Sequence, residues 1–159
     1  MVAYHRAAPY IGWEQFRLEL DETIDGLFET AKGLVIRRLG LRYLNALRPD
    51  VHYIKSVSDL DLEIKVANES ILGNVNLNFN IEMPGDTACT VRIATKEFVQ
   101  GILPLNTSVY VDVDVFTKEG FETEERQAVQ DWITAAHESE KKQFFGLLTD
   151  QTIERLKEE

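Results

Sequence analysis

The sequence has a single cysteine, Cys89, and no apolar run near the roughly 18 residues that a membrane-spanning helix needs. One cysteine excludes a disulfide within the chain, so the cysteine content offers no sign of secretion. The N-terminal stretch MVAYHRAAPYIGW also lacks the continuous apolar core of a signal peptide. We therefore expect a cytoplasmic protein that does not contact a membrane.

Basic residues are also scarce, because 17 Lys and Arg stand against 27 Asp and Glu, for a net charge of −10. Nucleic-acid-binding proteins usually carry a dense basic face, so the composition argues against that class. One stretch departs from the average. From Ala31 to Pro49 there is no acidic residue, and the segment VIRRLGLRYLNALRP contains four arginines: Arg37, Arg38, Arg42 and Arg48.

Residue sets with known catalytic chemistry are missing as well. The three histidines are scattered, and His137-Glu138 begins like a zinc-protease helix, but Lys141 stands where the second histidine is required. There is no nucleophile–His–acid arrangement and no glycine-rich loop that opens a helix to hold phosphate. We expect no metal and no cofactor, and the sequence favours a non-enzymatic protein.

Helical periodicity marks both ends of the chain. With 159 residues the chain fits one domain, 1–159, in which residues 1–12 form a leader. Apolar residues at steps of three and four predict a helix from Trp13 to Lys32-Gly33. The period returns at Thr123, and Thr149 or Asp150 can cap a last short helix. The second stripe is interrupted at Glu140 and otherwise consists of Ala128, Val129, Trp132, Ile133, Ala136, Phe144, Phe145 and Leu148.

Between the helices the apolar period is two, which predicts five strands. They lie at about 35–48, 58–66, 71–83, 87–96 and 109–116, and Pro84-Gly85-Asp86 is a turn between the third and fourth. Arg37 falls on the apolar parity of the first strand, so it must lie beyond the helix layer, at a bulge or toward a partner. The predicted fold is α+β, an antiparallel sheet of about five strands with the N-terminal and C-terminal helices on one face.

Strand register brings polar residues together on the other face of the sheet. The short turn sets Asn78 opposite Arg92, and matching apolar faces set Arg92 opposite Asp112. The second strand is expected beside the first and third, which places Arg42 opposite Asp61, Glu63 opposite Asn74 and Asp61 opposite Asn76. The candidate ligand- or partner-binding residues are Arg38, Arg42, Asn74, Asn76, Asn78, Asn80, Arg92 and Asp112.

Each candidate group has two interpretations. Arg38 and Arg42, roughly 13 Å apart on a strand, bind an anion or bridge to Asp59, Asp61 and Glu63. The four asparagines bind a sugar or peptide, or form a solvated face. Asp112 and Asp114 hold a metal, or Asp112 pairs with Arg92. Ion pairing and solvation are the preferred interpretations. His137 is predicted to be a helix-surface or packing residue, and Cys89 to be inert core.

Three segments carry a family resemblance. They are PYIGWEQF before the first helix, RRLGLRYLN on the first strand, and the pattern of Trp132, His137 and Glu138 followed by FFGLLTD. They resemble a sporadically distributed family of uncharacterised prokaryotic proteins with an LGLRY(I/L)N strand motif. Family members usually carry a further N-terminal strand-rich segment, so the chain resembles their C-terminal part. The resemblance implies an uncovered sheet edge, which a second copy of the chain would cover.

These observations support three functional hypotheses. The first is a non-enzymatic protein-interaction or assembly module that forms a homo-oligomer through a sheet edge. The second is a small-ligand-binding domain that uses a helix–sheet cavity or the asparagine-rich face. The third is part of an enzyme whose site is completed by an absent N-terminal segment.

Overall fold

The computed structural model describes residues 2–6, 11–71, 73–99, 101 and 104–157, and the statements below concern these residues. The predicted α+β class is confirmed, with a four-stranded antiparallel sheet in the order β1-β6-β5-β4 and a separate two-stranded hairpin, β2-β3. The elements are α1 (Trp13–Thr30), β1 (Gly40–Leu47), β2 (Lys65–Val66), β3 (Glu69–Ser70), β4 (Asn76–Glu82), β5 (Thr87–Thr95), β6 (Val109–Thr117), α2 (Arg126–Phe145) and α3 (Asp150–Lys157). No helix in these ranges is long and apolar enough to cross a membrane.

The registers of β4, β5 and β6 agree with those expected from the sequence. Asn78 lies opposite Arg92, and Arg92 lies opposite Asp112. The tight turn after β4 contains Gly85 at a φ of 65°, a backbone conformation that glycine adopts without strain. The short turn therefore fixes the pairing of β4 with β5, and the parity of the apolar residues limits β5 and β6 to registers that keep both apolar sets on the helix side.

The prediction of a sheet strand at residues 58–66 is wrong. Residues Val57–Asp59 form a 3₁₀ turn, closed by a capping box in which the Asp59 carboxylate accepts the backbone N–H of Ser56 at 2.9 Å. Leu60 then pairs with Leu148 beyond α2, and only Lys65–Val66 is strand, paired with β3. The side chain of Asp59 thus competes with a ladder for the backbone hydrogens.

Three predicted cross-strand pairs are absent, because residues 58–66 do not form a strand of the main sheet. The only sheet partner of β1 among the described residues is β6, so Arg42 lies opposite Asp114 and not Asp61. Glu63 and Asp61 do not pair with Asn74 and Asn76, because the hairpin pairs Lys65 with Ser70 and Val66 with Glu69. The acids of 59–63 therefore do not balance Arg42 of β1.

The first strand starts later than predicted, and this places Arg37. Strand β1 begins at Gly40, and the backbone of the preceding segment is anchored by a bridge between Ile36 and Thr123 and by hydrogen bonds between Leu39 and Thr117. Arg37 and Arg38 lie between these two anchors, outside the strand. Their side chains do not follow the parity of the sheet, which resolves the position of Arg37.

The core lies between the helices and the odd-numbered side chains of the sheet. The four valines of β6 on this face are fully buried, and Cys89 on β5 is 1% exposed. Phe16 of α1 and Ala136 of α2 close the core from the helix side. Trp13, Trp132 and Phe144 pack at its margin as expected, whereas Phe145, predicted to be core, is 40% exposed because α2 ends there. The described helix–sheet interface is packed with side chains.

Replacement of a central valine tests this assignment. Val113 of β6 is 0% exposed and lies between Tyr43 and Val91 on the neighbouring strands. We expect Val113→Ala to lower the free energy of unfolding by about 2 kcal/mol, since it removes buried methyl groups and leaves a cavity. Urea titration measures the loss. The matched control is Val66→Ala, at a side chain that is 61% exposed, and an equal loss in that variant would contradict the assignment.

Candidate functional site

Most of the predicted site residues meet on one surface. We call it the outer face: the even-numbered side chains of β1, β4, β5 and β6, opposite the helices. Register aligns Leu44, Asp112, Arg92 and Asn78 in one row across the four strands, and Arg42, Asp114, Thr90 and Asn80 in the next. The expected interleaving of acids, bases and amides is present on this face.

Arg42 and Asp112 form the strongest polar contact of the outer face. The guanidinium is bidentate, with Nε donating to Oδ1 at 2.8 Å and Nη2 donating to Oδ2 at 2.6 Å. The Asp112 side chain is only 7% exposed, whereas that of Arg42 is 56% exposed. The hydrogen bond to Asp112 raises the pKa of the Arg42 guanidinium above its usual value, so Arg42 stays charged.

Arg92 does not make the ion pair expected of it. The predicted register is right, but the Asp112 carboxylate is occupied by Arg42, which reaches it diagonally from the adjacent strand. Arg92 Nε instead donates to Asn76 Oδ1 at 3.0 Å, and Nη2 donates to the Phe98 carbonyl at 2.9 Å. Arg92 therefore ties β4 and the turn after β5 to the middle of the sheet.

The asparagines of β4 are exposed and partly engaged. Asn80 Oδ1 accepts a hydrogen bond from Thr90 Oγ1 at 3.0 Å, and Asn76 accepts one from Arg92. Asn78 lies between them on the same face. Asn74 is separate from this group, because it precedes β4 and lines a cleft of about 470 Å³ with Lys55 and Lys96. The ladder is thus three residues long.

Asp114 has a different environment from Asp112, although both lie on the same face of β6. Partial burial raises the pKa of Asp114, Arg42 opposes this rise, and the Asp112 charge adds to it. A metal would need further oxygen or nitrogen ligands. The described residues contain no group of three acidic, histidine or cysteine side chains that could hold one, and the Arg42 guanidinium already occupies the Asp112 oxygens.

A second group of titratable residues lies between the helices and the sheet. The His137 ring stacks on Trp13 with ring centroids 3.7 Å apart and planes 9° from parallel. Its Nδ1 is 3.4 Å from the Tyr43 hydroxyl. Burial lowers the pKa of His137, so the ring is neutral at pH 7 and joins α1, α2 and β1 as a packing residue. This group agrees with the packing role expected of His137.

Glu140 is a buried carboxyl residue that was not identified from the sequence as a candidate site residue. It lies one turn after His137, is 5% exposed, and has no hydrogen bond or ion pair with the residues described. Burial raises its pKa to about 7. Burial also raises the pKa of the neighbouring Cys89 thiol to about 11, so that cysteine is an unreactive thiol. The only signal in the sequence was the gap that Glu140 makes in the apolar stripe.

The two arginines that were expected to act together are separated. Arg42 is engaged on the outer face, whereas Arg38 lies before β1 with its guanidinium 5.3 Å from the centroid of the Phe116 ring. Arg38 lines a second cleft, of about 460 Å³, together with Arg37 and Lys118. This cleft lies at the end of β6, opposite to the one that Asn74 lines.

Comparisons with protein-family models, with curated proteins and with solved structures give no match. The resemblance carried by LGLRYLN therefore stays a prediction, and the geometry alone supports the proposals below.

The Arg42–Asp112 contact can be tested by removing its cation. We expect Arg42→Met to lower the free energy of unfolding by about 2 kcal/mol, because it leaves a buried carboxylate without its charged donor. Urea titration at pH 7 measures the loss. The matched control is Arg37→Met, which removes an exposed pair with Glu122 and should change stability by less than about 0.5 kcal/mol. Equal losses in the two variants would show that Asp112 does not depend on Arg42.

Glu140 predicts a pH dependence of stability. Between pH 4.5 and pH 7 the unfolded chain loses the Glu140 proton while the folded chain keeps it, so this residue makes stability fall as pH rises, until the fall levels off above the folded pKa of about 7. We expect Glu140→Gln to remove that fall. The variant should gain on the order of 1–2 kcal/mol relative to wild type on going from pH 5.5 to pH 8.

Urea titrations at these two pH values measure the effect. The control is Glu138→Gln, which removes an exposed carboxyl from the same helix. A Glu140→Gln variant whose stability relative to wild type is the same at both pH values would refute the assignment.

Proposed function

We propose that this chain is a non-enzymatic, cytoplasmic assembly module that forms a homodimer by pairing strand β4 with β4 of a second copy. The observation that carries the proposal is the character of the β4 edge, which is accessible, nearly uncharged and self-complementary. The ion pair of the outer face, Arg42–Asp112, has the bidentate geometry of a structural contact.

Strand β4 is an edge strand with one partner. In the described part of the chain its backbone pairs only with β5, so its other side presents unpaired N–H and C=O groups. Strand β4 has seven residues, and five of them are exposed. Unpaired edges of this kind are ready templates for another strand.

The usual protection of an edge is weak on β4. Edge strands are commonly guarded by lysine, by proline, by bulges or by charges that point inward. The sequence NLNFNIE contains none of these before Glu82 at its end. Phe79, in the middle of the strand, is 36% exposed on the helix side. The opposite edge, β1, carries the charged Arg42 near its centre, so β4 is the better candidate.

The residues of β4 are symmetric about Phe79. A two-fold interface must be self-complementary, because the same patch serves both copies. Antiparallel pairing centred on Phe79 would place Asn78 opposite Asn80 of the second copy and Leu77 opposite Ile81. Amides then meet amides on the outer face, and apolar side chains meet apolar side chains on the helix side.

The ligand-binding and enzymatic alternatives have less support. Asn76 and Asn80 already accept hydrogen bonds from Arg92 and Thr90, which leaves fewer free groups for a sugar or peptide. The described helix–sheet interface is filled by its own side chains. An enzyme completed by a further segment would require groups that these residues do not supply.

Light scattering after size-exclusion chromatography tests the proposal. We expect the wild-type chain to be a dimer at micromolar concentration, and the variant Asn78→Lys/Asn80→Lys to be a monomer, because the introduced ammonium groups would face each other across the two-fold axis. The neutral variant Asn78→Thr/Asn80→Thr is the matched control and should remain a dimer. Circular dichroism checks that each variant is folded.

A charge introduced on the other edge strand, β1, tests whether β4 or β1 forms the interface. Leu44 of β1 is 59% exposed, and Leu44→Lys should leave the dimer intact. A monomeric wild-type chain would refute self-association. A dimer that survives the lysines on β4 but dissociates with Leu44→Lys would transfer the interface to β1.

A further inference from the structure

The cleft that contains Arg37 and Arg38 is framed by backbone hydrogen bonds. At one end Ile36 and Thr123 exchange two bonds, of 2.8 and 3.0 Å, and at the other the Thr117 amide donates to the Leu39 carbonyl at 3.0 Å. The segment that carries Arg37 and Arg38 is short, and the facing segment, 118–122, is longer, so it bulges away and leaves a cleft of about 460 Å³. The walls are therefore held in place without a ligand.

The cations of this cleft differ in how fully they are engaged. Arg37 Nε lies 3.0 Å from Glu122 Oε1 in an exposed pair. Lys118 Nζ donates one hydrogen bond, to the Gly85 carbonyl at 3.0 Å. Arg38 makes no ion pair with a described residue, and its guanidinium faces the Phe116 ring. The donors of Arg38 and two of the three ammonium hydrogens of Lys118 have no protein acceptor there.

This arrangement suits an oxyanion. A guanidinium that faces an aromatic ring is restrained in orientation and keeps its N–H groups at its edge for bidentate binding of carboxylate or phosphate. Lys118 adds a second positive charge from the facing segment. The volume lies within the range of small-molecule sites, roughly 300–1,000 Å³. Glu119 and Glu122 on the lining disfavour long polyanions such as nucleic acid.

We propose that the cleft between residues 36–39 and 117–123 binds a small anionic molecule, whose carboxylate or phosphate group is held by Arg38 and Lys118. Phe116 positions the arginine, and Arg37 stays paired with Glu122. This binding is separate from the proposed self-association, since none of the residues that form the cleft belongs to β4.

Titration followed by ¹⁵N–¹H NMR tests the proposal, with inorganic phosphate and malonate as the two probes and sodium chloride at equal ionic strength as the salt control. We expect saturable shifts of amides in 116–121 at millimolar concentration with at least one probe. Saturation by phosphate alone assigns a phosphate ligand, saturation by malonate alone assigns a carboxylate, and saturation by both assigns a general oxyanion site.

Two variants locate the binding. Arg38→Gln should weaken it by about tenfold or more, because a charged, bidentate donor is lost, and Lys118→Gln should weaken it to a smaller extent. Lys96→Gln, at a lysine in the cleft near the other end of β6, is the matched control and should bind as wild type does. The spectrum of each variant reports its fold. Shifts that do not saturate, that chloride reproduces, or that Arg38→Gln leaves unchanged would overturn the proposal.

Discussion

The bidentate contact between Arg42 and Asp112 is the constraint that the rest of the sheet depends on. Strand β6 alternates buried valines with residues of the outer face, and a slip of one residue in a neighbouring strand would turn that strand's core side chains to the outer face. Parity alone still permits slips of two residues. The nearly buried Asp112 carboxylate removes that freedom for β1, because only a strand that brings Arg42 beside it neutralises the charge. The apolar face thus sets the parity of the sheet, and the ion pair selects the register.

The part of the fold that the sequence predicted correctly is the part governed by short-range rules. Strands β4, β5 and β6 have apolar alternation, and the turn at Gly85 leaves one register for the first pair. The second predicted strand had the same alternation but failed, because Asp59 can cap a 3₁₀ turn and Leu60 can pack beside Leu148. The alternating pattern of residues 58–66 is compatible both with a sheet strand and with the observed 3₁₀ turn. Which strand lies beside β1 is set by long-range pairing with β6, and no local pattern encodes that choice.

The candidate site was predictable to the same degree. Alternation placed Arg42, Arg92 and Asp112 on one face correctly, but which arginine pairs with Asp112 depends on the strand order. Arg38 could not be separated from Arg42, since both have even numbers and only the late start of β1 places Arg38 in a cleft. Lys118 belongs to that cleft because its loop bulges, which has no signature in composition. Glu140, by contrast, has a recognisable signature in the sequence, because it is a charged residue within an apolar stripe.

The two proposed surfaces are arranged so that they need not affect each other. Strand order β1-β6-β5-β4 puts the cleft at the end of β6, two strands away from the β4 edge. In a dimer joined through β4, the two β6 strands would be five strand spacings apart, about 24 Å at the usual spacing. Such a distance exceeds the screening length at physiological salt, about 8 Å. An anion in one cleft would therefore have little electrostatic effect on the other cleft, and self-association would leave both clefts open to small molecules.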